Sequence, residues 1–349
     1  TIEGFAEYNE TATDLYTAIL QQSVEQLPKS VNQLTIVPDR TLNNIPFEIL
    51  TNKVVQSNQD FSKLPYLLYD YQIHYAYSAT LLHENERQQN QLKTNDECLA
   101  YAPPYESDNQ PIAKRRGAMQ TLRDGTMQLQ GTGKEIQAIA TYFKGNFDQS
   151  ETATKANFVE QAPNFGILHL AMHGEANFEN ENLANLKFVN AKTQDKEQYL
   201  LYQNEIVNMD LNAQLVVLSA CETGLGKYIY GEGIVSLGRS FMYAGVPSIV
   251  MSLWKVDDKA TSRLMPYFYE NLAQGMNKDE ALYQAKLTFL KKEDLSTVHP
   301  HYWAGFVSIG DVQPIKKGWN WGVWLILGSI LLAFGSGFLI WRKFRNIKK

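Results

Sequence analysis

The chain has 349 residues, a length that suits two globular units with additional segments. Its net charge of −5 at pH 7 argues against a nucleic-acid partner, because nucleic-acid-binding domains present a basic surface. With only two cysteines, Cys98 and Cys221, a disulfide-dense scaffold and a thiolate-rich metal cage are excluded. The chain begins at Thr1 without a signal-like segment, so we expect a processed protein, the end of a longer one, or an expressed fragment.

The first part of the chain predicts a small α/β unit. An apolar stripe of period near 3.6 over residues 14–27 predicts a helix, which Pro28 ends. Short runs of β-branched and aromatic residues predict strands, and Ser78 is placed to cap a following helix. The predicted strands are residues 34–37, 71–77 and 99–102.

From residue 131 onward, strands and helices alternate, which is typical of a parallel sheet with helices on both faces. The boundary between two α/β units is therefore placed near residue 130. The predicted helices are 133–143, 155–161, 233–244, 258–274 and 278–291, and the predicted strands are 165–171, 214–219 and 247–253.

A segment near the carboxyl terminus, residues 318–341, contains no charged residue over 24 positions. As a helix of 1.5 Å per residue it would be roughly 36 Å long, enough to cross a hydrocarbon core of about 30 Å. This pattern predicts a single transmembrane helix followed by a basic tail, residues 342–349.

Two further expectations follow from that predicted span. The tail carries more basic residues than the segment before the span, so the positive-inside rule puts the tail in the cytoplasm and the globular body on the exoplasmic or periplasmic side. Small residues at four-residue spacing, Ser329, Ala333 and Gly337, predict that two spans pair as a homodimer.

Two apolar runs of strand length are each followed by a reactive side chain and a glycine. Residues 167–174 read Ile-Leu-His-Leu-Ala-Met-His-Gly and end in His173-Gly174. Residues 215–224 read Leu-Val-Val-Leu-Ser-Ala-Cys-Glu-Thr-Gly and contain Cys221. Reacting groups in an open parallel sheet gather beyond the carboxyl ends of the strands. We therefore expect a base and a nucleophile, which predicts a cysteine peptidase.

Other interpretations of these residues are weaker. A lone histidine or cysteine is usually a packed residue, but here both follow strands. His169 and His173 cannot share a metal ion, since four strand residues separate them by roughly 13 Å. The glycine loop at 131–135 fails as a phosphate loop, because Gln128 and Glu135 stand where glycine and a hydroxyl residue are needed. We expect no metal and no cofactor.

The two motifs together resemble the CHAT-domain peptidases, which are caspase-like and separase-like cysteine proteases often attached to tetratricopeptide repeats. The similarity extends in order along roughly residues 12–310. The further matching segments are 37–42, 45–50, 231–233, 244–247, 252–254 and 299–306.

The resemblance implies a caspase–haemoglobinase-like α/β fold with tandem halves. Residues 1–130 would be an inactive half and residues 131–313 the catalytic half. His173 would be the base and Cys221 the nucleophile, and the backbone N–H groups of Gly174 and Cys221 would hold the oxyanion.

The resemblance also implies a substrate groove. Ser252, Leu253 and Trp254 would lie where relatives pair with the extended substrate backbone. Asp257 or Asp258 would line the specificity pocket. The caspase signature around the cysteine is absent, so cleavage after aspartate is not implied.

These inferences predict a membrane-anchored cysteine endopeptidase acting on protein or peptide substrates. It would be the effector part of a larger regulated protein, with an upstream tetratricopeptide-repeat region or a sensor partner. The alternative is a non-catalytic, membrane-bound scaffold that binds peptides in the same groove.

Overall fold

A computed structural model describes most of the chain up to residue 316. The chain divides into two units, Thr1–Lys316 and Lys317–Lys349, and every described residue lies in the first. The described residues are 2–55, 60–92, 94–103, 132–177, 179–189, 195–219, 226–229, 233–294 and 297–316.

The described strands form one large sheet and two small ones. The large sheet has eight strands, in the order β1-β2-β13-β12-β9-β5-β3-β4, and the small ones are β6-β7-β8 and β10-β11. The strands are β1 Gln33–Ile36, β2 Gln72–Tyr75, β3 Cys98–Tyr101, β4 Gly145–Asp148, β5 Ile167–Leu170, β6 His173–Glu175, β7 Asn185–Lys187, β8 Leu200–Tyr202, β9 Leu215–Leu218, β10 Gly226–Ile229, β11 Gly233–Ser236, β12 Ser248–Ser252 and β13 Phe306–Gly310.

Helices connect these strands, and several begin at a side-chain cap. Ser78 Oγ accepts a hydrogen bond from Leu81 N at 3.1 Å, which confirms the predicted cap. The α-helices are α1 Ile2–Ile19, α2 Gln21–Val24, α3 Leu67–Asp70, α4 Ala79–Gln91, α5 Thr132–Tyr142, α6 Lys155–Gln161, α7 Gln203–Ile206, α8 Leu237–Tyr243, α9 Asp258–Ala273, α10 Lys278–Lys292 and α11 Pro300–Trp303. Short 3₁₀ turns are Arg40–Asn44, Phe47–Ile49, Phe61–Lys63, Ala162–Asn164, Glu181–Leu183 and Lys196–Gln198.

The large sheet is mostly parallel, as predicted. Neighbouring pairs from β12 through β9, β5 and β3 to β4 are all parallel, and β1 is parallel to β2. β13 runs antiparallel to β12. The central strands β5, β9 and β12 are buried on both faces, because helices cover both sides of the sheet.

Alternating side chains of the strands build two apolar cores. Leu168 and Leu218 face the first core, which α8 also enters with Phe241. Ile167 and Val217 face the second core, which α5, α9 and α10 cover. Because successive side chains of a strand point to opposite faces, both faces of the sheet are apolar and helices cover both. Helices on both faces of a mostly parallel sheet make this a mixed α/β fold.

The predicted single-pass membrane location needs correction. Within the part of the chain that the structure describes, no helix is long and apolar enough to cross a bilayer. The longest one, α1, has 18 residues and carries acidic side chains such as Glu7 and Asp14 along its length. The predicted span at 318–341 and the tail at 342–349 lie outside the described residues. The membrane location, its orientation and pairing through the span therefore have no support.

Candidate functional site

Three neighbouring strands of the large sheet, β5, β9 and β12, end at one edge. Leu170, Leu218 and Met251 are register partners across them, and we call these three residues the edge row. His173 comes three residues after Leu170 in the sequence, beyond the end of β5, and Trp254 comes three residues after Met251, beyond the end of β12. Both positions therefore leave the sheet at its carboxyl edge, where parallel sheets place reacting groups.

Cys221 follows Leu218 of the edge row by the same three positions in the sequence. It falls within residues 220–225, which lie outside the described residues. Its predicted pairing with His173 therefore stays a prediction.

His173 is the first residue of β6, in the small sheet. It pairs with Lys187 of β7, and Gly174 pairs with Leu186. The imidazole is partly exposed, while Leu186 beside it is fully buried. A side chain on a paired strand anchored by a buried neighbour has a fixed backbone, which is what a catalytic base requires.

Lys155 of α6 fastens this small sheet to the body of the protein. Its Nζ lies 2.7 Å from Glu205 Oε1 and donates to two backbone oxygens, Glu197 O at 2.8 Å and Leu200 O at 2.9 Å. Glu205 Oε2 in turn accepts from Tyr202 N at 2.9 Å. The Lys155–Glu205 ion pair thereby holds both ends of β8 and, through β7, the strand that carries His173.

His169, four residues before His173, is a packed core residue. It is fully buried, with Nδ1 2.8 Å from Tyr269 Oη and Nε2 3.2 Å from Glu135 Oε1. Burial raises the pKa of Tyr269 well above its ordinary value, so the phenol stays protonated. This chain of three side chains ties β5 to α9 and α5 beneath the edge.

The residues predicted to bind substrate fall into two kinds of environment. Ser252 is fully buried and pairs with Phe306 of β13; its predicted contact with substrate stays a prediction. Asp257 Oδ1 accepts from Ala260 N at 2.9 Å and caps α9. Leu253 is also buried, and its N–H donates to Gly305 O at 2.9 Å, whereas Trp254 is partly exposed.

Trp254 is held in position by α11, the short helix that precedes β13. Its Nε1 donates to His301 O at 3.0 Å, and its ring stacks on the His301 ring at 6.2 Å between centroids and 12° between planes. Gly305 allows this approach, because a Cβ there would lie 3.1 Å from the indole and 2.9 Å from Val256. The matching 299–306 segment therefore has a structural role beside the site.

A small cleft opens beside Leu253, between residues 38–77 and residues 251–309. Its described lining is apolar or uncharged: Pro38, Asn43, Tyr75, Ala76, Tyr77, Met251, Leu253, Val307 and Ile309.

Comparison with known proteins identifies the family. The family model described as "CHAT domain" matches residues 9–311. The chain belongs to the CHAT domain family. The match spans both the first strands and β13, so this CHAT chain carries the family's pattern almost from end to end of its described part.

The curated relatives of this CHAT chain are tetratricopeptide repeat proteins. Tetratricopeptide repeat protein 28 of Homo sapiens is 31% identical over 114 residues, which are 33% of this chain and 4% of that protein. Its Mus musculus counterpart is 31% identical over 113 residues, 32% of this chain and 4% of that protein. This chain therefore spans only a small fraction of those relatives.

Solved structures of similar fold include two proteases. The Saccharomyces cerevisiae separase–securin complex gives a TM-score of 0.46 at 15% identity, covering 81% of this chain and 15% of that one. The Arg-specific cysteine proteinase gingipain R gives a TM-score of 0.48 at 12% identity, covering 89% of this chain and 68% of that one. At such identities and TM-scores the likeness carries no information about activity.

The sequence patterns missed a buried polar cluster in this CHAT chain. Glu48 accepts hydrogen bonds from Lys286 Nζ and from Tyr75 Oη, and Tyr75 Oη accepts from Phe47 N at 2.7 Å. Glu48 and Lys286 are both almost fully buried. The sequence signal for this cluster was Glu48, the single carboxylate in the apolar run 45–50. Its partner Lys286 could not be identified from the sequence, because it lies 238 positions away.

Proposed function

We propose that this chain is a cysteine endopeptidase in which Cys221 is the nucleophile and His173 its base. The observation that supports the proposal is the register of the edge row. Leu170 pairs with Leu218, and His173 and Cys221 each follow their member of that pair by three positions. Adjacent parallel strands are about 4.8 Å apart, so equal offsets favour an encounter between the two side chains.

The proposed reaction is peptide-bond hydrolysis through a thioester. His173 takes the thiol proton of Cys221, and the sulfur attacks the scissile carbonyl to form a C–S bond. The C–N bond then breaks as His173 gives its proton to the leaving amine. Water attacks the thioester and passes one proton to His173, the C–S bond breaks, and the thiol is restored with that proton.

The backbone around the dyad would supply the remaining elements. The N–H groups of Gly174 and Cys221 are proposed to bind the oxyanion, the arrangement that usually contributes most to acyl transfer. The substrate backbone would run past the carboxyl end of β12, at Ser252, Leu253 and Trp254.

We further propose that the peptidase is one part of a larger, regulated protein. Its curated relatives are tetratricopeptide repeat proteins many times its length. An upstream repeat region or a separate sensor protein would then control access to the site.

The test is cleavage of a peptide library by the whole chain and by three variants. Cys221→Ala should reduce cleavage to the uncatalysed background, and His173→Ala should reduce it by roughly 10²–10⁴-fold, the range for a positioned general base. Cys98→Ala is the matched control, since Cys98 is fully buried in β3, and it should retain activity.

Two outcomes would contradict the proposal. Equal cleavage by the wild type and Cys221→Ala would exclude Cys221 as the nucleophile. Peptide binding without any cleavage, unchanged in Cys221→Ala, would instead identify a non-catalytic peptide-binding scaffold.

A further inference from the structure

The small sheet β6-β7-β8 carries His173, but its strands pair with one another and not with the described strands of the large sheet. Its direct chain link to β5 consists of two buried residues, Ala171 and Met172. A sheet joined to its neighbour by so short a link needs a second contact to fix its orientation. The orientation of His173 depends on that second contact.

The register of the small sheet leads from His173 to Lys155. His173 pairs with Lys187 of β7, and Lys187 pairs with Leu200 of β8. The carbonyl oxygen of Leu200 accepts a hydrogen bond from Lys155 Nζ at 2.9 Å. Lys155 on α6 therefore holds the cross-strand row that begins with His173, two strand spacings or roughly 10 Å away.

The ammonium group of Lys155 is fully used in this contact. Its side chain is only 12% exposed, and Nζ bonds three acceptor groups, the Glu205 carboxylate, Glu197 O and Leu200 O. An ammonium group has three N–H donors, so each acceptor takes one. A methionine at this position would have a similar length but would leave all three acceptors without this donor.

Apolar packing also seats the small sheet on α6. The Phe158 ring of α6 lies 5.3 Å from the Phe188 ring, and the Tyr101 ring lies 6.1 Å from Phe188. Apolar contacts are not directional, whereas hydrogen bonds are. The rings therefore keep the sheet on the body of the protein, and the Lys155 contacts fix how it is turned.

Building on the proposed peptidase function, we propose that Lys155 and Glu205 are positioning residues for the base, and that their ion pair sets the placement of His173 relative to Cys221. Neither side chain touches the reacting atoms in this mechanism. Loss of the pair should leave the protein folded on its aromatic seat but with a misplaced imidazole. A misplacement of about 1 Å is enough to cost roughly 10²-fold in rate.

Alkylation of Cys221 by iodoacetamide at pH 6 and pH 9, followed by peptide mapping of the whole chain, tests the proposal. Lys155→Met should react at least about tenfold more slowly than the wild type at pH 6, because a misplaced imidazolium favours the thiolate less. At pH 9 the two rates should be similar. Lys155→Arg keeps the charge and should recover most of the rate at pH 6. Cys98 is fully buried, so its labelling in the same sample reports the unfolded fraction.

Two further variants separate positioning from general stability. Glu205→Gln keeps an acceptor for Tyr202 N but removes the charge, and it should slow the reaction at pH 6 in the same direction. It decides the question if Lys155→Met labels at Cys98 and is therefore unfolded. Arg263→Met is the matched control, because it breaks an ion pair with Glu293 that joins α9 to the end of α10. It should leave the rate at pH 6 unchanged.

The outcomes distinguish this proposal from the peptidase proposal. Wild-type rates at pH 6 in the folded Lys155 and Glu205 variants would overturn the positioning role and leave the peptidase proposal standing. Equal slowing in Arg263→Met would overturn it as well. A wild type in which Cys221 reacts only at alkaline pH would contradict the dyad itself, and the positioning role with it.

Discussion

At the scale of single residues, burial sets the chemistry of Cys98. It is fully buried in β3, and desolvation raises the pKa of its thiol far above the ordinary value. Such a thiol is neither a nucleophile nor an easy target for alkylation. Because the chain has only two cysteines, any thiol reactivity of the folded protein can be assigned to Cys221.

His74 makes folding depend on pH. Burial lowers its pKa from the ordinary value of 6.5, against the opposing charge of Asp279, whose Oδ2 lies 3.5 Å from Nδ1. The unfolded chain therefore binds a proton more readily than the folded one as pH falls through 6.5. The free energy of unfolding should decrease from pH 7 to pH 5, by at most about 1.4 kcal/mol per pH unit from this group.

Urea unfolding at several pH values checks this dependence. His74→Gln removes the titrating group, so its unfolding free energy should fall less steeply over the same interval. Equal slopes for the wild type and the variant would show that His74 does not contribute.

At the scale of elements, α10 fastens β2 and the segment after β13 together through buried charges. Lys278 lies 2.8 Å from Asp311 Oδ2, with both side chains fully buried. Asp279 Oδ2 accepts from Gln72 Nε2 at 2.6 Å, at the start of β2. Burial lowers the pKa of Lys278, and Asp311 opposes the shift, so the pair keeps its charges only while it is intact.

The Lys286–Glu48 pair of the same helix gives a stability prediction. Lys286→Met leaves a buried carboxylate with Tyr75 as its remaining donor, so we expect a loss of roughly 3–5 kcal/mol in the free energy of unfolding. Replacing both partners, Glu48→Gln with Lys286→Met, should recover much of that loss. Denaturant unfolding measures both variants.

An exposed ion pair serves as the comparison for this experiment. Arg87 and Glu84 on α4 have side chains 63% and 48% exposed. Arg87→Met should cost less than about 1 kcal/mol. If Lys286→Met cost no more than Arg87→Met, the buried cluster would not be a structural clamp.

At the scale of the whole molecule, one sheet unites segments that are far apart in the chain. β1 and β2 come from the first 75 residues and lie on one side of β13, while β3 inserts between β4 and β5 on the other side. Residues 37–44 and Leu253 meet across the cleft because β1, β2, β13 and β12 lie side by side in the sheet. The predicted division into halves at residue 130 remains a prediction, but the strands of the two segments share one sheet.

Local patterns predicted much of this fold because its strands and helices are strongly apolar on their buried sides. Helix 155–161 and the strands at β5, β9 and β12 agree with the structure to within two residues. The predicted helix 233–244 begins instead as β11, because residues 233–236 pair with β10 and Ser236 caps α8. β13 was missed because its partner β12 lies more than 50 positions earlier.

The candidate site was predictable in part for the same physical reason. His173 and Cys221 stood out because each follows an apolar run. The cleft could not be found this way, since Asn43, Tyr77 and Leu253 meet only through the order of strands in the sheet. Likewise, the sequence did not show that Asp257 caps α9; its predicted place in the specificity pocket stays a prediction.

The central claim, a thiol activated by His173, is tested most directly by the pH dependence of Cys221 alkylation with iodoacetamide. An imidazolium beside the thiol would lower its pKa below the ordinary value of about 8.5, so Cys221 should react readily near pH 6. In His173→Gln the reaction should require alkaline pH, and in both proteins Cys98 should stay unmodified until the chain is unfolded. The same alkaline profile for Cys221 in the wild type and in His173→Gln would contradict the dyad.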